Sequence, residues 1–280
     1  MRFRPIATLP ALALLLGGCT AAPPEERSAD PSRTAATVAP DLRTARLVDL
    51  SHAFGPETLY WPTSPSRFDL TRLSHGQTAG GFFYAANAFC APEHGGTHLD
   101  APVHFAANGE TVERIPLRRL IAPAVVIDVS VPASRDPDYR LKVEDVHAWE
   151  GRNGTIPAGA AVLLRTGWAS RWPDRRRYFG DDTPGDASRL HFPSFGPEAA
   201  DLLVSQRRVA ALGVDTASID AGPSTDFRVH RLTAAAGVPG LENLTGLDAL
   251  PDRGAWIFAL PMKIAGGSGA PVRAVALLPD

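Results

Sequence analysis

The sequence contains little cysteine: Cys19 and Cys90 are the only two in 280 residues. Two cysteines exclude the dense disulfide framework of many small exported domains, and they exclude a metal site built from several thiolates. Cys90 lies in an apolar run, which predicts an inert thiol in the protein core. The sequence also lacks an excess of positive charge, because 28 Lys and Arg residues face 30 Asp and Glu residues and the formal net charge is -2. Without a long basic stripe to neutralise phosphates, we expect no nucleic acid partner.

The N-terminal segment has the organisation of an export signal. Two arginines precede an apolar run that is too short to span a bilayer and that ends in Leu16-Gly17-Gly18-Cys19. This ending resembles a bacterial lipobox, which implies a signal peptide over residues 1–18 and an acylated Cys19. Thr20 follows the cysteine, and by the same resemblance a non-acidic residue there favours the outer membrane. We therefore expect a lipid-anchored protein on the periplasmic side of the bacterial cell envelope, with a plain secretory signal as the alternative.

Residues 19–45 differ in composition from the rest of the chain. They are rich in Ala, Pro, Glu, Ser and Arg and contain few large apolar side chains, so they cannot repay the entropy cost of folding. This composition predicts a flexible tether. The whole chain has 44% hydrophobic residues and can bury a substantial core, and no second linker divides the remainder. We therefore predict one folded domain over residues 46–280.

Periodicity within this domain predicts more sheet than helix. Strands are predicted for an aromatic-rich segment, a β-branched segment and two apolar runs, which span residues 81–90, 124–129, 161–165 and 209–214. Pro197 at a first helical position and the apolar spacing after it predict a helix over residues 198–207. The stretch 172–195, rich in Pro, Gly and Asp, is typical of a long surface loop or lid. The predicted fold class is mixed α and β.

Three of the eight histidines lie within eleven residues, together with an aspartate: His94, His98, Asp100 and His104. Imidazole nitrogens and a carboxylate are ligands that a borderline or hard divalent cation prefers. No cysteine stands among them, so a thiolate centre is excluded. The cluster therefore predicts a divalent metal centre.

The spacing of these residues limits their local geometry. Zinc proteases carry two histidines four residues apart on a helix, but Gly95-Gly96 disfavours a helix and leaves no glutamate in the catalytic position. We expect instead a glycine turn followed by a short extended segment, on which His98 and Asp100 project to the same face. Pro102 removes a backbone donor, so the chain should leave the sheet there and return His104 toward the site.

The segment HGGTHLDAPVHF, residues 94–105, resembles the His-x-Gly-Thr-His-x-Asp-x-Pro-x-His signature of the cyclase-like metal-dependent hydrolases, which include bacterial kynurenine formamidase and isatin hydrolase. Further similar segments are Asp49-Leu50-Ser51, Tyr60-Trp61-Pro62, 164–168, 213–220, and His230 with Glu242-Asn243-Leu244. Together they cover the chain from about residue 46 onward. The resemblance implies a cyclase-like, swivelling β/β/α fold with a central barrel-like sheet and surrounding helices, and a homodimer.

The same resemblance implies a role for each matching residue. The implied ligands of a first metal ion are His94, His98 and Asp100. His230 and Glu242 are implied to complete the centre and to hold a second ion, and Glu242 also takes part in catalysis. His104 is the implied proton-transfer residue. One or two ions of zinc or manganese are usual in such enzymes, and the sequence does not choose between the two metals.

These parts predict a hydrolase of a small amide. A divalent cation lowers the pKa of a bound water toward neutrality and polarises a carbonyl group, so hydroxide becomes available near pH ~7. His104 would take the proton from that water and return it to the leaving nitrogen. The expected substrate is a small cyclic amide or an aryl formamide, similar to isatin or N-formylkynurenine. Two alternatives stay open: a lactone or other ester hydrolase at the same site, and a lipoprotein that binds a ligand through the metal without turnover.

Two further groups of residues have alternative interpretations. The candidates to line a pocket for a flat substrate are Trp61, Phe82, Phe83 and Trp168. Trp61 is first among them, although aromatic residues more often belong to the core. Asp215 and Asp220 bracket the end of a predicted buried strand. Each of them either orients a ligand histidine or caps a turn.

Overall fold

The computed structural model describes residues 44–278. The predicted signal peptide 1–18, the predicted lipidation site Cys19 and the predicted tether as far as residue 43 lie outside this range. Within the range, no helix is both long enough and apolar enough to cross a bilayer.

Strands form the frame of the described domain. They are β1 Arg46–Asp49, β2 Asp69–Gln77, β3 Phe83–Cys90, β4 His98–Asp100, β5 Ile121–Asp128, β6 Arg140–Leu141, β7 Ala161–Arg165, β8 Ser194–Phe195, β9 Ala211–Val214, β10 Gly240–Glu242, β11 Arg253–Pro261 and β12 Gly269–Leu278. The helices are short: α1 Leu117–Leu120, α2 Ser130–Arg135, α3 Val143–Asn153, α4 Arg175–Phe179, α5 Pro197–Asp201 and α6 Arg228–Ala235. Single 3-10 turns cover Pro102–His104, Val112–Arg114, Trp168–Arg171 and Leu247–Ala249. The mixed α and β class, with more sheet than helix, is confirmed.

The main sheet closes on itself as a barrel. Its order is β12-β11-β5-β7-β9-β10-β4, and β4 pairs back onto β12. The pairs β5–β7, β7–β9 and β9–β10 are parallel, and the pairs that involve β4, β11 or β12 are antiparallel. β1 also pairs with β12, at residues 275–278, whereas β4 pairs with residues 269–271 of that strand. The expected central barrel-like sheet is therefore confirmed.

The register of two three-residue strands places distant parts of the sequence side by side. β10 pairs antiparallel with β4, so that Glu242 lies opposite His98 and Gly240 lies opposite Asp100. Alternate residues of a strand face the same side, and directly opposite residues on paired strands share a face. His98, Asp100 and Glu242 therefore project from one face of the barrel sheet.

The barrel sheet is buried on both faces. Ala124 and Val126 of β5 belong to a core cluster that contains residues of all the barrel strands. Val125 and Ile127 of the same strand pack in a second cluster, which includes Trp149 of α3. Parallel strands covered on both faces are expected to be apolar without interruption. This explains the continuous apolar runs that the sequence shows for β5 and β7.

The predicted helix over residues 198–207 forms in two parts. α5 ends at Asp201, and a π-helical turn continues the chain over Leu202–Gln206. Ala199 and Leu203 pack into the outer core cluster. Apolar spacing therefore located this element, but the second part has the wider hydrogen-bond pattern of a π-helix rather than that of an α-helix.

The stretch 172–195 differs from the exposed loop that its composition predicts. It contains α4, and Tyr178, Phe179, Leu190 and Phe192 are each at most 1% exposed and pack together. Burial of these apolar side chains removes a large area from water and fixes the segment against the protein. The prediction of a surface loop is wrong for this part, because the four apolar residues are dispersed among Pro, Gly and Asp.

β2 and β3 form a separate antiparallel hairpin outside the main sheet. Several of its apolar side chains are exposed, including Leu73 at 64% and Phe83 at 55%. Cys90 at the end of β3 is also exposed, so the prediction of a core thiol is wrong. A two-stranded hairpin has no covering layer of its own, and an apolar run in such a strand therefore does not imply burial.

Candidate metal centre and substrate pocket

A glycine turn, Gly95-Gly96, connects His94 to β4. Gly96 has a φ of +58°, and a Cβ atom there would lie 2.5 Å from the ring of Phe54. A Cβ atom on Gly95 would lie 2.1 Å from the ring of Tyr60. The left-handed backbone at Gly96 and the close approach at Gly95 are both conditions that glycine alone meets without strain. The turn and the extended segment that the sequence predicts are thus present.

Three imidazoles and two carboxylates converge beside this turn. The Asp100 Oδ1 atom lies 2.6 Å from His94 Nδ1 and 3.3 Å from His98 Nε2. The Asp100 Oδ2 atom lies 3.2 Å from His230 Nε2. Glu242 completes the cluster, with Oε1 3.1 Å from His230 Nε2 and Oε2 3.4 Å from His98 Nε2. The structure therefore brings together the five residues that the sequence suggests as metal ligands.

Outer hydrogen bonds fix which nitrogen of two imidazoles faces the cluster. His98 Nδ1 lies 2.9 Å from the Gly96 carbonyl oxygen, which can only accept a hydrogen bond. His230 Nδ1 lies 2.7 Å from a carboxylate oxygen of Asp220. That carboxylate also accepts hydrogen bonds from the backbone amides of Val229 and His230 at the start of α6. In both imidazoles Nδ1 is thus the donor, and Nε2 is left for a cation.

Burial disfavours the charged forms of the histidines and carboxylates in this cluster, but the attraction between them outweighs the effect of burial. In His98, burial is overcome by attraction to Asp100 and by hydrogen bonds to Asp100 and Glu242, which raise the pKa to about 10. Burial is likewise overcome in His230, where hydrogen bonds to three carboxylates raise the pKa well above its usual range. Burial would raise the pKa of Asp100, yet the nearby histidines hold it well below its usual range. The carboxylates therefore require positive charge beside them.

This donor set fits a divalent cation. Nitrogen and carboxylate oxygen donors suit zinc and manganese alike, and a cation bound at the inward Nε2 atoms takes the place of a proton there. One ligand atom each from His98, Asp100 and Glu242 lie within 4.8 Å of one another, and the same holds for His94, Asp100 and His104. The two overlapping groups share Asp100. The arrangement is compatible with one bound ion or with two.

His104 stands at the rim of the cluster. It ends the 3-10 turn Pro102–His104, so the chain does leave the sheet at Pro102 and returns toward the site. Its ring stacks on His94, with ring centroids 3.8 Å apart and an angle of 17° between the planes. His104 is exposed as a whole residue, while partial burial of its ring lowers the pKa of His104 to about 4 through loss of hydration.

The cluster forms the floor of a cavity of about 420 Å³. Its aromatic lining consists of Trp61, Phe105, Phe179 and Phe227. No Lys or Arg from residues 44–278 lines it. A cavity of this volume with aromatic walls and a few polar groups at one end is typical of a site for a small, flat molecule.

The four aromatic candidates have different surroundings. Trp61 lines the cavity, and its ring meets Phe179 edge-on at 6.5 Å between centroids. Phe82 and Phe83 are more than half exposed, at and near the hairpin turn. Trp168 is buried in the core, where its Nε1 donates a hydrogen bond to the Tyr178 carbonyl oxygen. Of the four, the structure places Trp61 alone at the cavity.

The two aspartates take different roles. Asp220 orients His230 through the 2.7 Å contact with its Nδ1. Asp215 accepts hydrogen bonds from the amides of Thr166 and Gly167 and from the Thr166 hydroxyl, at distances of 2.6 to 2.9 Å. Asp215 therefore caps the turn after β7. Of the two interpretations, orientation of a ligand histidine applies to Asp220 and turn capping applies to Asp215.

Sequence reasoning gave no role to Asn243 or Phe227, although both line the cavity. Both have left-handed backbones, with φ of +55° and +48°, a strained conformation that is frequent at functional sites. The Asn243 side chain donates a hydrogen bond to the Gly96 carbonyl oxygen at 2.8 Å and accepts one from the Tyr178 hydroxyl at 3.0 Å. Asn243 thus anchors the glycine turn. Its tolerance of the left-handed region and its place directly after Glu242 were the available signals.

Comparison with known proteins agrees with this site. The family described as "Putative cyclase" matches residues 48–221. The isatin hydrolase of Roseibium aggregatum is 34% identical over 83% of this chain and 92% of its own length. The kynurenine formamidase of Salinibacter ruber is 28% identical over 82% of this chain and 96% of its own length. The structure of isatin hydrolase A from Ralstonia solanacearum superposes with a TM-score of 0.76 at 38% identity and covers 84% of this chain and 92% of that one. The expected resemblance is confirmed, and the chain belongs to the cyclase family of hydrolases.

Proposed function

We propose that this protein is a metal-dependent hydrolase that opens the C–N amide bond of a small aromatic cyclic amide, similar to isatin. The observation that carries the proposal is the convergence of two sequence segments, 94–104 and 230–242, at the floor of one aromatic cavity. Relatives named isatin hydrolase and kynurenine formamidase support hydrolysis of an amide bond that is not a peptide bond.

The lining of the cavity favours a neutral ring over an amino acid. Trp61 and Phe227 offer apolar aromatic faces to a flat substrate. The free carboxylate of an amino-acid substrate, remote from its scissile amide, would find no Lys or Arg of residues 44–278 in the lining. Desolvating that carboxylate without a cationic side chain is costly. A cyclic amide carries no such charge, and we therefore place it ahead of an N-formylkynurenine.

The five residues of the cluster would hold one or two divalent ions, zinc or manganese. Such an ion, when bound, would polarise the scissile carbonyl and make water acidic. The residues of the chain would then orient the ring between the aromatic walls and exclude bulk solvent. His104, at the rim, would take a proton from the attacking water and deliver it to the leaving nitrogen. The water oxygen joins the carbonyl carbon as the C–N bond breaks, which leaves an amine and a carboxylic acid that loses its proton to solvent at neutral pH.

The test is a hydrolysis screen with the purified protein, loaded with zinc or with manganese. The substrates are isatin, an N-formylaniline and an aromatic lactone, and product formation is followed by absorbance and chromatography. We expect isatin to be hydrolysed fastest and the lactone slowest. Turnover of the lactone alone would reassign the bond as an ester, and tight binding without turnover would make the protein a binding lipoprotein. Failure of elemental analysis to find a stoichiometric metal after loading would reject the proposal.

We further propose that the protein is lipid-anchored in the cell envelope and forms a homodimer. The signal-like segment 1–18 and Cys19 support the anchor. The hairpin of β2 and β3 supports the dimer, because its apolar side chains are exposed and β3 carries no charged residue over Phe83–Cys90. A second copy of the same hairpin, with its uncharged β3, is a matching apolar partner for it.

A further inference from the structure

The third inward-facing histidine is held differently from the other two. His98 and His230 each have Nδ1 on an acceptor outside the cluster, so Nε2 faces inward. His94 is reversed: its Nδ1 faces Asp100 at 2.6 Å, and its Nε2 lies 2.8 Å from the hydroxyl of Ser268. A hydroxyl can both donate and accept, so by itself it does not decide which nitrogen of His94 carries the hydrogen.

Glu93 decides the direction of that hydrogen bond. The Ser268 hydroxyl lies 2.6 Å from Glu93 Oε2, and the Ser268 backbone amide lies 2.9 Å from the same oxygen. A carboxylate accepts both bonds, and a serine hydroxyl has a single hydrogen to donate. With that hydrogen directed to Glu93, the Ser268 oxygen accepts from His94 Nε2. His94 Nδ1 is then the nitrogen left for a cation.

The backbone around Ser268 is fitted to this contact. A Cβ atom on Gly267 would lie 2.9 Å from Glu93 Oε1, and a Cβ atom on Gly269 would lie 2.6 Å from the His94 ring. Neither glycine has a left-handed backbone that would otherwise call for this residue type. The sequence Gly267-Ser268-Gly269 thus allows the chain to pack against the side chains of Glu93 and His94 at close range.

We propose that Ser268 and Glu93 are positioning residues, which hold His94 in the tautomer that presents Nδ1 to the metal. This inference rests on the metal centre of the proposed function. Outer hydrogen-bond partners of this kind orient the ligand histidines of metal sites, and their loss costs about 10-fold to 100-fold in metal affinity or activity. Neither residue contacts the cavity, since neither belongs to its lining.

The experiment measures zinc affinity of the full-length protein by competition with a chromogenic chelator. We expect Ser268→Ala and Glu93→Ala to weaken zinc binding by about 10-fold to 100-fold. Ser268→Thr keeps the hydroxyl and should bind zinc more tightly than Ser268→Ala. Ser134→Ala is the control, because this exposed hydroxyl also makes one hydrogen bond, to the Val131 carbonyl oxygen, and it is remote in sequence from the cluster. Circular dichroism checks that each variant is folded, and Glu93→Ala replaces Ser268→Ala if the latter is not.

Nitrogen-15 NMR of selectively labelled histidine supplies a readout that general destabilisation would not move. In the zinc-bound parent we expect the His94 hydrogen on Nε2, with this tautomer lost or averaged in Ser268→Ala. Folded Ser268→Ala and Glu93→Ala variants with the zinc affinity of the parent would overturn the proposal, and so would a His94 hydrogen on Nδ1. A parent protein that binds no zinc or manganese would reject the proposed function and this inference together. A parent that binds metal and turns over substrate, with variants equal to it, would reject this inference alone.

Discussion

At the scale of single residues, His104 and His94 are stacked but differ in their hydrogen bonds. His94 has a partner at each ring nitrogen. The His104 ring makes no hydrogen bond to any side chain or backbone group of residues 44–278, and it lines the cavity. A base must be free to take up a proton, whereas a ligand is held in place by outer partners. This contrast favours His104 as the proton-transfer residue rather than as a metal ligand.

We predict that His104→Ala retains the metal and loses about 10²-fold to 10⁴-fold in kcat, the usual contribution of a general base. The measurements are the metal-to-protein ratio after gel filtration and the rate of isatin opening. His191→Ala is the control, because His191 is a half-exposed histidine paired with Asp138 at the surface. Loss of metal from His104→Ala together with activity would make His104 a ligand.

The residues of the site were predictable from the sequence to different extents. His94, His98 and Asp100 stand close together in an unusual pattern, which has a chemical meaning without any fold. His230 and Glu242 have no such local signal, and only the resemblance suggested them. They reach the cluster through the pairing of β10 with β4 and the position of α6, which are long-range features that local spacing does not encode.

At the scale of elements, the glycine turn and β4 act as one unit. The turn lets His94 approach Asp100, and the pairing of β4 with both β10 and β12 holds the strand at the closure of the barrel. Asn243 anchors the turn through its bond to the Gly96 carbonyl oxygen, which is also the acceptor for His98. Distortion of this turn should therefore disturb both stability and the metal site.

We predict that Gly96→Ala lowers the free energy of unfolding by about 3 kcal/mol, from a strained left-handed backbone together with overpacking against Phe54. Gly159→Ala is the matched control: Gly159 also has a positive φ, of +80°, but a Cβ atom there meets nothing within 4 Å. The control should lose about 1 kcal/mol from the backbone alone. Urea denaturation and a zinc titration measure both effects. Equal losses in the two variants, with zinc binding intact, would contradict this role of the turn.

The elements show where periodicity succeeds and where it fails. The strand predicted over residues 161–165 is β7 in full, because strands buried on both faces leave an uninterrupted apolar signature. The prediction for the stretch 172–195 fails because its buried apolar residues have no regular spacing. In β3 the apolar signature is present but the strand is exposed, since burial depends on what packs above a strand and not on the strand itself.

At the scale of the whole molecule, closure of the barrel is what assembles the site. β4 pairs with both β10 and β12, so the strand that carries His98 and Asp100 closes the ring. Sequence periodicity identifies individual strands, but it does not give this order. The prediction of a barrel came from the family resemblance, and the prediction of a location in the cell envelope came from the N-terminal segment.

We predict that Cys19 anchors the protein to the membrane. When the full-length chain is expressed in a bacterial host, it should fractionate with the envelope and incorporate labelled fatty acid. Cys19→Ala should abolish the labelling, because the acylated thiol is lost. Cys90→Ala is the control, since it removes the other cysteine of the chain. Labelling that persists in Cys19→Ala, or a parent chain without label, would reject the anchor.

The exposed hairpin leads to the prediction about assembly. Phe83 and Phe89 are an even number of positions apart on β3, so they share a face, and both are more than half exposed. If that face is covered by a second copy, the double variant Phe83→Ser and Phe89→Ser should be monomeric in analytical ultracentrifugation while the parent is a dimer. Leu117→Ser is the matched control, because Leu117 is a 65% exposed apolar residue on α1, outside the hairpin. The control should remain dimeric. A monomeric parent, or a double variant that dimerises as tightly as the parent, would show that the hairpin is not the contact between copies.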